Sequence, residues 1–275
     1  MLQLQLLPLA PAHAWTPRMP PGRVSGVLST DAASAWTRMG FHVDAAGRVA
    51  LGSGFLVRCA SGGGDGDSAR SSRVTVADTR DDVGSDMFGL PAWSWTSPPA
   101  DARAVARVPT FHVAALDASD AWDALGRAGG HPNTAFGVDH VVVLARSRDA
   151  FVAAAAAAGL VLKRERKVGE PATQLFYRPG DGAVVEVLAS RDALPADAPD
   201  VVLWGLTLVV RDIDAAKRLL GDDGASNVRD AVQQGRKILT VRNRKFGARV
   251  NLALMTPHVK PAGEGAGERS RGAKL

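Results

Sequence analysis

The feature that most constrains how this sequence folds is an internal repeat with an offset of 65 residues. One unit covers residues 138–189 and the other covers 203–254, and each reads as a strand, a helix and three further strands. The offset aligns Gly159, which follows the first helix, with Gly224 in the second unit. A single offset along the whole unit argues against chance similarity, and repeats of this kind decide an architecture.

Hydrophobic alternation and turn residues define the segments of each unit. Gly159 stands where a helix commonly ends in the left-handed conformation, and residues 179–182 (Pro-Gly-Asp-Gly) form a strong hairpin turn. The predicted segments of the first unit are 138–145, the helix 149–158, 160–168, 173–178 and 183–189. Those of the second are 203–210, the helix 213–220, 228–232, 237–242 and 248–254.

A degraded third copy is predicted near the N-terminus. A strand at 24–28 precedes a helix from Asp31 to Met39 capped by Ser29 or Thr30, and short strands follow at 41–43, 48–51, 55–58 and 73–76. The fold class predicted from this order is therefore α+β. Tandem βαβββ units form a cupped mixed sheet, with a degenerate third unit at the N-terminus.

The repeat also organises the chain. A flexible extension is predicted over 1–21, the degenerate unit and an irregular connector over 22–130, the paired units over 131–256 and a disordered tail over 257–275. Hydrophobic residues make up 46% and charged residues 22%, which excludes a disordered chain.

Composition also excludes several classes of protein. The single cysteine, Cys59, rules out an intramolecular disulfide and a cysteine metal cluster, and we expect it to be a packing residue. No apolar run approaches the roughly 20 residues of a membrane span. A net charge of +5 over 275 residues is small for a nucleic-acid-binding protein, and the basic stretches lack interleaved aromatic residues. We therefore expect neither a membrane nor a nucleic-acid partner.

The paired units resemble the vicinal oxygen chelate superfamily, which includes glyoxalases, bleomycin-resistance proteins and extradiol dioxygenases. The likeness rests on residues 137–143 (Gly-Val-Asp-His-Val-Val-Val), 184–188 (Val-Val-Glu-Val-Leu) and 204–212 in the second copy, with His-Pro-Asn at 131–133 before the first strand. Within the superfamily the chain is most similar to glyoxalase-like domain proteins. The resemblance implies a pocket in a cupped sheet, but one scaffold hosts many reactions.

The resemblance also implies one divalent metal, Zn, Fe, Mn or Ni, held by the first and last strands of each unit. The matching positions are His140 and Glu186 in the first unit and, at the 65-residue offset, Gly205 and Asn251 in the second. Glycine has no ligand to offer, so a third ligand would come from Asn251, His112, His131 or water. The alternative for His140 is a core histidine bonded to the backbone.

Glu186 is the one charge in an apolar strand, and a buried carboxylate needs a cation, a hydrogen-bond donor or water. The hairpin predicts that Glu186 lies opposite Leu175, which places Tyr177 on the same face. We expect one wall to carry the polar side chains His140, Tyr177, Glu186, Thr207, Thr240, Arg242 and Asn251. The alternatives are a structural ion pair at Glu186 and a solvated sheet face.

These residues predict a glyoxalase-like small-molecule protein, a lyase or isomerase acting on a carbonyl-containing metabolite, or a dioxygenase-like enzyme. Glu186 would be the base and Tyr177 a hydrogen-bond donor, while Arg242, Thr207, Thr240 and Asn251 would contact substrate. The alternative is a metal-free, non-catalytic protein that binds or sequesters a small molecule. The missing ligand at Gly205 favours that alternative.

The C-terminal tripeptide Ala273-Lys274-Leu275 is similar to the Ser-Lys-Leu peroxisomal address, which an import receptor reads from a free tail. We therefore predict a peroxisomal location and an import receptor as a partner. A cytoplasmic or plastid location is the alternative, since residues 1–21 are apolar enough for an organellar transit role. The sequence leaves the oligomeric state open.

Overall fold

The computed structural model describes residues 22–52, 54–60, 87–96, 104–110, 121–126, 128–180 and 182–258. Several predicted features lie outside these residues, among them the extension 1–21, the strand 73–76, His112 and the tail that ends in Ala273–Leu275. Within the described residues, no helix is both long enough and apolar enough to cross a membrane.

The strands and helices of the described residues are numbered in chain order. The strands are β1 (Val24–Ala32), β2 (Arg48–Leu51), β3 (Phe55–Ala60), β4 (Ala92–Trp95), β5 (Ala104–Val105), β6 (Val108–Pro109), β7 (Ala135–Ala145), β8 (Leu162–Lys167), β9 (Thr173–Tyr177), β10 (Val184–Ala189), β11 (Val201–Val210), β12 (Arg229–Asp230), β13 (Lys237–Thr240) and β14 (Asn251–Met255). The helices are α1 (Ala33–Arg38), α2 (121–126), α3 (Arg148–Ala157) and α4 (Ile213–Gly224), with a short 3-10 helix at Asn243–Phe246.

The two repeat units form one eight-stranded sheet with the order β12-β13-β14-β11-β7-β10-β9-β8. In the first unit, β10 runs parallel to β7 and antiparallel to β9. In the second, β14 runs parallel to β11 and antiparallel to β13, and the two units meet where β7 and β11 pair antiparallel. Both units therefore have the same internal order, which confirms the predicted tandem βαβββ architecture.

The helices cover one face of this sheet. Phe151 and Ala155 of α3 and Ala216 of α4 are buried in a continuous core with the strand residues that face them. Ser147 caps α3 through its hydroxyl, and Gly159 follows the helix with a φ of +81°. The opposite face of the sheet is left open for a cavity.

Two β-bulges confirm the 65-residue offset in the central strands. The pairing of β7 with β11 shifts register between His140 and Val138, which leaves Asp139 as the extra residue on β7. It shifts again between Leu203 and Gly205, which leaves Trp204 as the extra residue on β11. Asp139 and Trp204 are thus equivalent positions, and His140 corresponds to Gly205 as predicted.

The offset does not hold in the last strands. Gly205 pairs with Asn251, whereas its counterpart His140 pairs with Val184. The sheet position equivalent to Glu186 is therefore Ala253, and the predicted match of Glu186 with Asn251 is wrong by two residues. A slip of two keeps every side chain on its own face, so the core pattern in the sequence does not reveal it.

The N-terminal segment contains part of a third unit. β1 runs parallel to β3, and β3 runs antiparallel to β2, as the equivalent strands do in the other units. β4 pairs antiparallel with β1 in the way that β11 pairs with β7. The described residues of this segment form a four-stranded sheet of order β2-β3-β1-β4. The predicted degenerate third unit is confirmed in this reduced form.

Two local predictions in this segment are wrong because tertiary contacts take the hydrogen bonds. The helix starts at Ala33, and the carboxylate of Asp31 accepts from the backbone N–H groups of Arg249 and Val250. Residues 41–43 are not a strand, since the N–H of His42 donates to the ring of His131. Cys59 is buried in the hydrophobic core, so it is a packing residue as expected. Burial and the nearby Asp31 and Asp44 raise the pKa of its thiol to about 12, which keeps the thiol protonated.

Candidate functional site

A cavity of about 1020 Å³ opens on the face of the eight-stranded sheet that the helices leave uncovered. Strands from both ends of the sheet line it, so the sheet is curled into a cup. The lining residues used below are Asp139 and His140 on β7, Lys163, Arg164 and Arg166 on β8, Gln174 and Phe176 on β9, Arg178, Glu186 on β10, Arg229 and Asp230 on β12, and His258.

His140 lies between two carboxylates in this cavity. Its Nδ1 is 2.9 Å from Asp139 Oδ2, and its Nε2 is 3.2 Å from Glu186 Oε2. Neighbours in a regular strand point to opposite faces, but the bulge at Asp139 lets both Asp139 and His140 contribute to the cavity. The three side chains form a linear group across β7 and β10.

Glu186 is held from its other side by an amide. Gln174 Nε2 donates to Glu186 Oε1 at 2.7 Å, and Arg166 Nε donates to Gln174 Oε1 at 3.0 Å. These two hydrogen bonds hold the carboxylate of Glu186 in one orientation. The predicted need of Glu186 for a hydrogen-bond donor is met by Gln174, and Nε2 of His140 lies 3.2 Å from its other carboxylate oxygen.

Arg236 ties the second unit to this group. Its side chain is 1% exposed, its Nη2 lies 2.7 Å from Asp139 Oδ1, and its Nε donates to the carbonyl oxygen of Thr256. His258 Nε2 lies 3.2 Å from Arg236 Nη1. The segment between β12 and β13 is therefore anchored over β7, and it closes one side of the cavity.

The Asp139 carboxyl is strongly acidic as a result. Burial opposes its ionisation, but hydrogen bonds from His140 and Arg236, with the charge of Arg236, outweigh burial and lower its pKa from 3.8 to about 2. Asp139 is thus a fixed anion at ordinary pH, and it orients His140 and neutralises Arg236 at once.

Tyr177 does not share this face. Glu186 pairs with Phe176 rather than Leu175, so the predicted register is wrong by one residue, and Tyr177 pairs with Val185 on the helix side of the sheet. Tyr177 is 1% exposed, and its ring contacts Phe151 of α3 edge-on at 5.9 Å. Burial raises the pKa of its hydroxyl to about 12. The predicted placement of Tyr177 beside Glu186 is therefore wrong.

The residues predicted to contact substrate in the second unit are dispersed. Thr207 pairs with Ala253 and with His140, and Thr240 pairs with Ala253, so both lie on the cavity face of the sheet. Asn251 shares that face, and its amide donates to the carbonyl oxygen of Trp204. Arg242 lies beyond β13 with an exposed side chain. None of these four side chains is among those that line the cavity.

Comparisons with known proteins identify the fold. No family model and no curated protein matches the sequence. Among solved structures, a variant of 4-hydroxymandelate synthase from Streptomyces coelicolor matches with a TM-score of 0.50 and 13% identity, over 88% of this chain and 94% of that chain. A xylose isomerase-like TIM barrel/4-hydroxyphenylpyruvate dioxygenase fusion protein matches with a TM-score of 0.50 and 12% identity, over 94% of this chain and 53% of that chain.

The chain therefore has the vicinal oxygen chelate fold. A match to methylmalonyl-CoA epimerase from Mycobacterium tuberculosis is 20% identical over 46% of this chain and 91% of that one, with a TM-score of 0.37. At 12% and 13% identity, the two matches with a TM-score of 0.50 establish the fold alone, and the chemistry has to be derived from the side chains.

The metal positions implied by the vicinal oxygen chelate fold are only half filled. His140 and Glu186 stand at the two positions of the first unit, but the sheet register gives Gly205 and Ala253 in the second. A Cβ added at Gly205 would lie 2.3 Å from the carbonyl oxygen of Asn251, so that position has no room for a ligand. Within the described residues, no three His, Cys, Asp or Glu side chains form a metal-binding group. The residues present do not fit a protein-held metal, because two ligands rarely suffice.

His131, a candidate third ligand, is fully occupied elsewhere. Its Nδ1 accepts from the N–H of His42 at 3.0 Å, which assigns the proton to Nε2, and Nε2 lies 2.8 Å from the carbonyl oxygen of Ala50. Burial lowers the pKa of the ring, which favours this neutral form. With Asn133, which donates to the carbonyl oxygen of Met39, His131 joins β7 to the N-terminal unit. The expectation that it could ligate a metal is wrong.

Sequence reasoning did not assign roles to several residues of the site. Asp139 was visible beside His140, but only the bulge explains why both face the cavity. The one-residue error in register assigned Gln174 and Phe176 to the helix face of the sheet, so neither was predicted to lie in the cavity. Arg236 carried no local signal, because its role depends on a contact between opposite ends of the curled sheet.

Proposed function

We propose that this protein is a small-molecule enzyme that moves a proton next to the carbonyl group of an anionic metabolite, as an isomerase or lyase does. The observation that carries the proposal is the contact of His140 Nε2 with Glu186 Oε2 at 3.2 Å, with Asp139 at the other ring nitrogen, inside a cavity of about 1020 Å³. A carboxylate and an imidazole in hydrogen-bond reach are the usual partners of general acid–base catalysis.

Each group has a defined part in the proposed step. Glu186 takes the proton from the carbon beside the carbonyl, and the electron pair moves onto the carbonyl oxygen to give an enolate. His140, oriented by Asp139, shares that proton with Glu186 and allows its return to the substrate at the same or a neighbouring carbon. The cavity is lined by five Lys and Arg side chains and three carboxylates, and this positive excess favours the entry of an anionic substrate.

Two predicted roles change in this proposal. Arg242 has no part because it does not line the cavity. Tyr177 borders the cavity, but it is 1% exposed and its ring packs against Phe151 on the helix side of the sheet, so it has no part either. No step runs through a metal ion, since the second unit supplies no ligand at Gly205 or Ala253.

A second candidate function is a protein that binds the same anion without chemistry. The half-filled metal positions favour it, because the fold is here retained without the complete ligand set. Both candidates require that a small anion enters the cavity, and they differ only in whether Glu186 exchanges a proton with it.

The test is hydrogen exchange in heavy water. The protein is incubated in D₂O with a panel of 2-oxo acids (pyruvate, 2-oxobutyrate and 2-oxoglutarate), and loss of the proton beside the carbonyl is followed by NMR. We expect exchange above the buffer rate with the wild-type protein and a loss of about 100-fold or more in Glu186→Gln. The matched control is Glu165→Gln, a glutamate of the same unit that pairs with Arg148 outside the cavity.

The outcomes separate the candidates. Exchange that is equal in wild-type protein and Glu186→Gln contradicts the proposal. Ligand-dependent thermal stabilisation without exchange leaves the binding function. Metal analysis of wild type and His140→Ala completes the test. About one equivalent of Zn, Fe, Mn or Ni, lost in the variant, would show that His140 and Glu186 hold a metal together with water or substrate oxygens.

A further inference from the structure

One wall of the cavity carries cations that the proposed step does not use. Lys163 and Arg164 lie on β8, Arg178 follows β9, and Arg229 lies on β12 at the opposite end of the curled sheet. We infer that these four residues bind a polyanionic group of the substrate, with two or more negative charges, away from the reacting carbon. The inference rests on the proposed function for the cavity and specifies its substrate class.

The local structure of β8 directs the cations of the first unit into the cavity. Arg164 pairs with Phe176 and Arg166 with Gln174, so both share the cavity face. A bulge between Leu162 and Arg164 leaves Lys163 as an extra residue, which brings a second adjacent cation to the same wall. Glu165, the one acidic residue of the strand, faces away and pairs with Arg148 of α3.

The two aspartates of the cavity already have cationic partners, and Arg166 is bound to the amide of Gln174. Arg236 pairs with Asp139, and Asp230 pairs with Lys237. Across the described ranges, no carboxylate forms an ion pair with any of the four cations of the wall. Like charges that line one cavity repel each other and attract counter-ions. A single carboxylate would leave most of this charge unbalanced, whereas a polyanion matches it.

The strand register also gives the spacing between the cationic wall and Glu186. Glu186, Phe176 and Arg164 stand in one row across β10, β9 and β8, because Phe176 pairs with both of the others. Two interstrand spacings separate Glu186 from Arg164, which is about 10 Å. We therefore expect the polyanionic group to lie on the order of 10 Å from the reacting carbon, with an apolar connection beside Phe176.

The test uses simple anions as probes at constant ionic strength. Pyrophosphate, citrate and acetate are titrated into the wild-type protein by calorimetry, with thermal shift as a second readout. We expect pyrophosphate or citrate to bind at least about tenfold more tightly than acetate, and Arg164→Gln and Lys163→Gln each to weaken that binding by about tenfold. Whichever of the two polyanions binds more tightly distinguishes a phosphate from a polycarboxylate.

The control variant is Arg191→Gln, which removes the same charge from an exposed turn outside the cavity. The inference is overturned if acetate binds as tightly as the polyanions, or if Arg191→Gln weakens binding as much as Arg164→Gln. Hydrogen exchange in D₂O separates this result from the proposed function. Polyanion binding without exchange refutes the enzyme and keeps the subsite, and exchange without polyanion binding does the reverse.

Discussion

The two repeat units share one backbone plan, yet only the first carries the acid–base group. Where the first unit has Asp139 and His140, the second has Trp204 and Gly205 at the equivalent bulge. Ala253 stands where the first unit has Glu186. The strand order, the bulge and the helix position are common to both, so none of them depends on these side chains.

The comparison shows which positions the fold requires. Core residues on the helix face are apolar in both units because that face is buried whatever the chemistry, as with Val141 in the first and Leu206 in the second. Residues on the cavity face are free to differ. The second unit has instead taken a supporting part, since its Arg236 neutralises Asp139 and closes the cavity over the first unit.

The largest expected effect comes from breaking the contact that joins the two units. In Asp139→Asn, the buried guanidinium of Arg236 loses its carboxylate, and we expect the free energy of unfolding to fall by about 3 kcal/mol in urea denaturation. The matched control is Asp230→Asn in the second unit, whose pair with Lys237 is exposed and is worth less than about 1 kcal/mol. Equal losses in the two variants would show that the buried contact has no special weight.

The carboxylate of Asp139 also makes the stability of the protein depend on pH in acid. Its pKa is lowered to about 2 in the folded protein, so it favours folding above pH 4 and loses that contribution as the pH falls from 4 to 2. The contribution is about 2 kcal/mol, from a shift of nearly two units. We expect the stability of Asp139→Asn to depend less on pH in this range than that of the wild type, and parallel pH curves would contradict the assignment.

The next effect concerns why the second unit has glycine where the first has histidine. In Gly205→Ala, the new Cβ meets the carbonyl oxygen of Asn251 at 2.3 Å, so β14 has to move. We expect a loss of about 2 kcal/mol in the same assay. Gly137→Ala is the control, because a Cβ there meets nothing within 4 Å. A stable Gly205→Ala would mean that β14 yields, and that a ligand could be built at this position.

The smallest effect is expected at Tyr177, whose side chain lies on the helix face of the first unit and not on the face that carries Glu186. Its hydroxyl is buried without a hydrogen-bond partner among the described residues. Tyr177→Phe removes an unsatisfied group, so we expect unchanged or slightly greater stability, within about 1 kcal/mol, and unchanged hydrogen exchange in D₂O. A large loss of exchange in this variant would restore the catalytic role that the sequence suggested.

The sequence by itself determined the scaffold. Periods of two and 3.6 in apolar residues, glycine at the end of α3 and the hairpin at 179–182 are local signals, and the same offset applied to Gly159 and Gly224 implied two copies of one unit. Two of the central polar residues, His140 and Glu186, were also visible, because a lone charge or imidazole in an apolar strand stands out against its neighbours. The local rules failed in the N-terminal unit, where Asp31, predicted as the first residue of a helix, instead accepts hydrogen bonds from the backbone N–H groups of Arg249 and Val250.

Only the tertiary structure decided which side chains meet. A register error of one residue exchanged Phe176 for Tyr177 beside Glu186, because a strand's own pattern does not fix its alignment with its neighbour. A slip of two residues moved the counterpart of Glu186 from Asn251 to Ala253 without changing any face. The contact of Arg236 with Asp139 depends on the curl of eight strands, and no single segment of the chain encodes that curl. The apolar pattern therefore fixed the faces of the sheet, while the composition of the cavity followed from register and curvature, which are properties of the assembled sheet.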